Sequence, residues 1–203
     1  MEDDYLEIRQ DKLKELSKTL KIWIRNIKQF SKDFENDALY WYNERASLSV
    51  FAGAVWLSGG YALEEFSATK GSLGEEWKGR KDLWFCLNQQ EYIVEAKFKY
   101  QSFSPQAKIF DKIKQTLNEA CSDAKKSVEK DNISLGLCFI APYLPKSKEK
   151  DMESLIESLK KELLKIDYDF LAWIFPEVSG RLSYPKNNIP IFYPGGVVLG
   201  KIA

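Results

Sequence analysis

The run ISLGLCFIA, residues 133–141, carries no charge and is apolar at almost every position. Side chains alternate across a strand, so a run apolar on both faces suits a strand covered on both sides, as in the middle of an α/β sheet. The chain of 203 residues is long enough to supply those covering layers around one core. With 44% apolar and 30% charged residues it has a globular composition and not a disordered one.

Around this run the periodicities set out an order of elements. Residues 5–34 place Leu13, Leu16, Leu20, Trp23, Ile27, Phe30 and Phe34 at spacings of three and four, which predicts one long amphipathic helix. Its stripe is wide enough to pack on the domain or on a second copy of the chain, so a homodimer is one arrangement it allows. A second helix is predicted from about Asn36 to Leu57, stopped by Ser58-Gly59-Gly60. Residues 61–68 alternate like a strand, and 69–79 read as a polar, glycine-rich connection.

Residues 79–100, GRKDLWFCLNQQEYIVEAKFKY, then read as a β-hairpin turning at 88–90. A helix beginning at Ser104-Pro105 presents Ile109, Ile113, Leu117, Cys121, Ala124 and Val128, and the apolar strand 133–141 ends at Pro142 and Pro145. A further helix around Met152–Leu163 and strands at 169–175 and 195–203 complete the chain. The order α-α-β-β-β-α-β-α-β argues for one α/β domain over 1–203, a mixed sheet flanked by helices. It divides into an N-terminal helix (1–35), a core (36–141) and a C-terminal αβ extension (142–203).

Several function classes drop out. The chain has no histidine, which removes Ser-His-Asp and Cys-His systems, histidine general bases and His-ligated zinc. Thirty basic and thirty acidic residues cancel, so bulk charge points to neither nucleic acid nor membrane. Cys86, Cys121 and Cys138 stand far apart and read as buried thiols of a reducing cytoplasm. No apolar run approaches the roughly 20 residues that span a bilayer, and the charged N-terminus lacks a signal-peptide core. The expectation is a soluble, cytoplasmic protein.

The hairpin concentrates the remaining chemistry. Val94, Ala96, Phe98 and Tyr100 face one side of its second strand, and Ile93, Glu95, Lys97 and Lys99 the other. Asp82 on the first strand falls across from residues 96–98, within reach of Glu95 and Lys97. A bland reading is a surface ion pair on an amphipathic hairpin, worth well under about 1 kcal/mol.

Asp82, a twelve-residue spacer and Glu95-Ala96-Lys97 resemble the D-x(n)-E-x-K signature of the PD-(D/E)XK nuclease superfamily, with Lys81 where the family often has proline. The family core, α-β-β-β-α-β, corresponds to residues 36–141. The resemblance implies a restriction-endonuclease-like fold and Mg²⁺-dependent hydrolysis of DNA, with Mn²⁺ as a substitute, in restriction, repair or a mobile element. It implies Asp82 and Glu95 as metal ligands and Lys97 as the group beside the attacking water. Hard carboxylate oxygens are what Mg²⁺ takes, and none of this chemistry needs histidine.

Glu44 is the fourth candidate, because it falls on the stripe Trp41, Leu48, Phe51, Val55, where a carboxylate must be paired or ligating. The family often adds an acid from the helix before the sheet, the place Glu44 occupies; Glu64 and Glu65 are rivals. Lys99, Gln101 and Arg80 are weaker candidates for phosphate contact. The alternative from another class is a non-catalytic domain that keeps the fold and binds nucleic acid or protein.

Overall fold

The computed structural model describes residues 3–34, 37–72, 75–104, 107–126, 132–177, 183–186 and 189–203. Its elements are β1 (Asp3–Ile8), α1 (Leu16–Asp33), α2 (Glu44–Ser58), β2 (Tyr61–Ser72), β3 (Glu75–Leu87) and β4 (Gln90–Ser102). They continue as α3 (Ile109–Lys125), β5 (Ile133–Pro145), α4 (Met152–Leu163), β6 (Phe170–Phe175), β7 (Ser183–Lys186), β8 (Ile189–Phe192) and β9 (Gly196–Ile202). The strands form an open mixed sheet in the order β1-β6-β9-β5-β4-β3-β2, and the β7–β8 hairpin joins the end of β5. Among the described residues β4 and β5 are the parallel pair, joined by the α3 crossover, and the other pairs run antiparallel.

The apolar run does become an interior strand, β5, flanked by β4 and β9. Its alternate residues feed two separate cores. Leu135, Leu137 and Phe139 pack with α1 and α2, through Leu20, Trp23, Phe51 and Val55. Cys138 and Ile140 pack with α3 and α4, through Ile113, Leu117, Leu159 and Leu163. Helices therefore cover both faces, and the stripe from Leu13 to Ile27 is spent inside the chain, while Phe34 beyond it is 56% exposed. No described helix is long and apolar enough to cross a membrane.

Three predicted elements are corrected. Residues 5–8 are not the start of a helix but part of β1, which pairs antiparallel with β6. The segment alternates as a strand does: Tyr5 stacks on Trp173 at 4.2 Å on one face, while Leu6 and Ile8 join the other core. The second helix begins at Glu44 because the Asn43 side chain accepts the Ala46 N–H at 2.9 Å and caps it there. Trp41 therefore precedes the helix, and the predicted start at Asn36 lies outside the described residues. The supposed connection 69–79 is mostly strand, since β2 and β3 pair as far as Ser72 and Glu75. Pro105 and Val128 also lie outside the described residues. Pro142 does not end β5, which runs on to Pro145.

Gly136 sets how closely α3 approaches the sheet. A Cβ there would stand 2.5 Å from the Cys121 nitrogen and 2.8 Å from the Ala120 carbonyl carbon, backbone atoms that cannot step aside alone. Gly136→Ala is expected to cost about 1–3 kcal/mol in urea unfolding by pushing α3 outward. Gly53, inside α2 with nothing within 4 Å of a built Cβ, is the internal contrast. Gly53→Ala is expected to gain about 0.5–1 kcal/mol from helix propensity. Equal effects of the two substitutions would contradict this packing.

Candidate active site

The site begins where the sheet parts. β3 and β4 turn through Asn88 and Gln89, both with positive φ (47° and 71°), and pair from Leu87–Gln90 up to Leu83–Val94. The register stops there, and β4 continues to Ser102 paired with β5. On the other side of β3 the ladder with β2 skips one step between Glu64–Leu83 and Phe66–Lys81. The residue skipped on β2 is Glu65, held at φ 48°. Asp82 thus sits in β3 with no ladder partner on either side among the described residues.

Past the last β3–β4 pair, the β4 N–H groups that would have met β3 need acceptors. Asp82 Oδ2 takes the Ala96 N–H at 2.7 Å. The Glu44 carboxylate lies beside the Phe98 backbone, which helps to favour its charged form. Two carboxylates from two elements thus occupy neighbouring positions on one strand, two residues or about 6.6 Å apart. The shorter turn moves Asp82 to the level of Glu95–Ala96, one step below the range 96–98 read from sequence.

Glu44 is the first residue of α2, capped in place by Asn43. Burial, together with the Asp82 charge, pushes its carboxyl above the usual range against the pull of Lys97, Phe98 and Arg45. Glu44 and Asp82 line an open cleft of about 180 Å³ with Arg45, Leu48, Glu65 and Arg80. Glu65 holds both arginines at the rim, accepting Arg45 Nε at 2.6 Å and Arg80 Nη1 at 3.3 Å. Its neighbour Glu64 accepts the Ser49 hydroxyl at 3.0 Å. The cleft therefore combines two crowded carboxylates, Glu44 and Asp82, with two guanidinium groups that a third, Glu65, already holds.

Lys97 projects from β4 toward α3, where its ammonium meets Asp123 Oδ2 at 2.9 Å; Lys126 holds the other oxygen, Oδ1, at 2.8 Å. Burial pulls the Lys97 ammonium down, but Asp123, Glu44 and Asp82 together outweigh it and hold it above its ordinary value. Asp123 was not singled out from sequence, although it lies two residues beyond the apolar position Cys121, at the edge of the helix stripe. Glu95 is buried, 4% exposed, and does not line the cleft. Its face of β4 is the one that bears Lys97, whereas α2 packs on the opposite face, with Val94 and Ala96. Glu44 therefore comes to Asp82 from the end of α2, where the β3 and β4 strands part. Lys81, beside Asp82, is fully buried on the core face of Leu83 and Phe85.

Among the described residues no three histidine, cysteine, aspartate or glutamate side chains stand together as a ready metal cage. Glu44 and Asp82 form a two-carboxylate pair, which is the number Mg²⁺ commonly takes from protein when waters and substrate phosphate complete its shell.

The raised Glu44 carboxyl has a signed consequence. An acid whose folded pKa exceeds its unfolded one loses stability as pH rises from the ordinary carboxylate range through that higher value. Glu44→Gln removes the cost and keeps an acceptor for Phe98. In metal-free buffer it is expected to be more stable than the parent at about pH 8, with the gain gone at about pH 4. Urea midpoints at the two pH values check this, and a gain that does not change with pH contradicts it. In comparisons with known proteins, no family model, no curated protein and no solved structure matches the chain.

Proposed function

We propose that this protein is a metal-dependent nuclease that hydrolyses DNA phosphodiesters, with Asp82, Glu95, Glu44 and Lys97 as its working residues. One observation carries the reading. The aspartate and the helix-borne glutamate, chosen from sequence for unrelated reasons, line one cleft and come to one strand, Asp82 on the Ala96 N–H and Glu44 beside Phe98. The element order α2-β2-β3-β4-α3-β5 supports it further, being the order the restriction-endonuclease-like core requires.

The donor set fits a hard divalent cation. Asp82 spends one oxygen on Ala96, and Glu44 carries charge that its surroundings disfavour, so a cation between them relieves a standing repulsion. Bound Mg²⁺ would lower the pKa of a coordinated water and polarise the phosphoryl group. Asp82 and Glu44, which line the cleft, would hold it; Glu95, buried outside the cleft lining, is the third acid of the motif. Lys97, kept protonated by its acidic neighbours, acts as an electrostatic group toward the pentavalent phosphorus and not as a base. Arg45 and Arg80, both held by Glu65 at the rim, bring guanidinium groups whose remaining N–H donors suit phosphate oxygens.

Two measurements test the reading. Ca²⁺ or Mg²⁺ is expected to raise the melting temperature, because an ion bound to the folded chain alone stabilises it, and Asp82→Asn with Glu44→Gln is expected to abolish the rise. Plasmid, linear, single-stranded and branched DNA incubated with Mg²⁺, with Mn²⁺ or with EDTA is expected to be cut only with metal. Lys97→Ala is expected to cut the rate by about two to four powers of ten while keeping the Ca²⁺ stabilisation. DNA left intact in every metal condition would leave a non-catalytic domain. Cleavage unchanged without Lys97 would sink its role.

A further inference from the structure

Two large aromatic side chains stand in solvent beside the cleft: Tyr42 is 49% exposed and Tyr100 40% exposed. They share backbone segments with the site. Tyr42 lies two residues before Glu44, and Tyr100 lies two residues beyond Phe98, whose backbone stands beside the Glu44 carboxylate. The Phe98 and Tyr100 rings meet edge to face at 4.8 Å, and Trp41 meets Tyr42 the same way at 6.3 Å.

Both tyrosines are held by their hydroxyls. Tyr42 donates to the two Asp37 carboxylate oxygens at 2.7 and 2.6 Å. Tyr100 donates to the Trp41 carbonyl at 2.6 Å and also reaches the Tyr42 carbonyl. A ring fixed by its hydroxyl, with much of its surface in water, loses little freedom when something flat is laid on it. Two residues along the chain from Tyr42 begins the lining of a cleft that carries Arg45 and Arg80, both held by Glu65. Guanidinium groups for phosphate beside ring faces for bases is the composition that binds single-stranded nucleic acid. A duplex offers the same phosphates but hides its base faces inside the stack.

We propose that Tyr42 and Tyr100 form a stacking platform for unpaired bases of single-stranded DNA lying across the cleft, an inference that rests on the nuclease reading for the identity of the polymer. The preferred substrate is then a single strand, a frayed end or a flap, with bases beside the reacting phosphate out of the stack.

The test is binding of fluorescein-labelled oligo-dT, followed by anisotropy in EDTA so that no cleavage intervenes, against a blunt duplex of the same length. Oligo-dT is expected to bind tighter than the duplex. Tyr42→Ala is expected to weaken oligo-dT binding by roughly tenfold, the scale of one lost base–aromatic stack, and to leave duplex binding unchanged. Tyr42→Phe, which keeps the ring and loses the Asp37 bond, is expected to retain the affinity. Tyr42→Leu, which keeps apolar bulk without a ring, is expected to lose it, and this holds the test open if the alanine variant does not fold.

Oligo-dT that binds no tighter than duplex would overturn the proposal, as would Phe and Leu variants that behave alike. The two readings separate cleanly: ring-dependent binding with no cleavage in any metal leaves the platform standing without the nuclease. Cleavage that ignores Tyr42 leaves the nuclease standing without the platform.

Discussion

Where β3 leaves β4, the N–H groups of Ala96 and Phe98 lose the strand that would have satisfied them, and two carboxylates take its place. A buried amide without a partner costs about 1–3 kcal/mol, so this gap cannot stay empty. Asp82 fills the first position from β3 itself, and Glu44 fills the second from the start of α2. The substitution fixes the end of α2 against the sheet and brings two negative charges together. It also explains why the pair is tolerated: Asp82 is anchored by a backbone donor, and the Phe98 backbone offsets part of what burial and its neighbour cost Glu44. Structural need and charge concentration arise here from the same two side chains.

The opposite face contributes through close approach. Gly136 pairs with Glu95 in the parallel β4–β5 register, and its missing side chain lets α3 settle against the sheet at Ala120 and Cys121. One turn of that helix brings Asp123 to Lys97, which pairs with Cys138 two steps further along the same register. Lys97 is thus steadied by an acid on α3 while it feels the charges of Glu44 and Asp82 through the parting strands. The ammonium links the two layers that the sheet otherwise separates.

Periodicity and motif exposed much of this, and their misses have physical causes. Nine consecutive residues with no charge located β5 in the interior, and Asn88 to Gln90 located the hairpin turn. The alternation of β4 assigned Glu95 and Lys97 to one face correctly. Strand β1 was hidden because Tyr5 and Leu6 extend the helical spacing of α1, and only pairing with β6 decides the matter. Glu44 was found for an incomplete reason. The stripe places it as a core-facing residue in the middle of a helix, but Asn43 caps the helix there and leaves it at the end, where it can reach a strand. Asp123 and the Glu65 clasp on Arg45 and Arg80 depend on contacts across many residues, which spacing along the chain does not encode.

The proposed divalent cation between the carboxylates of the parted strands can be located directly. Crystals soaked in Mn²⁺ and measured above and below its absorption edge would show it by anomalous difference. A peak is expected in the cleft, coordinated by Asp82 and Glu44, and is expected to disappear in the Asp82→Asn protein. A cleft without a peak at saturating Mn²⁺, or a peak that survives loss of Asp82, would contradict it.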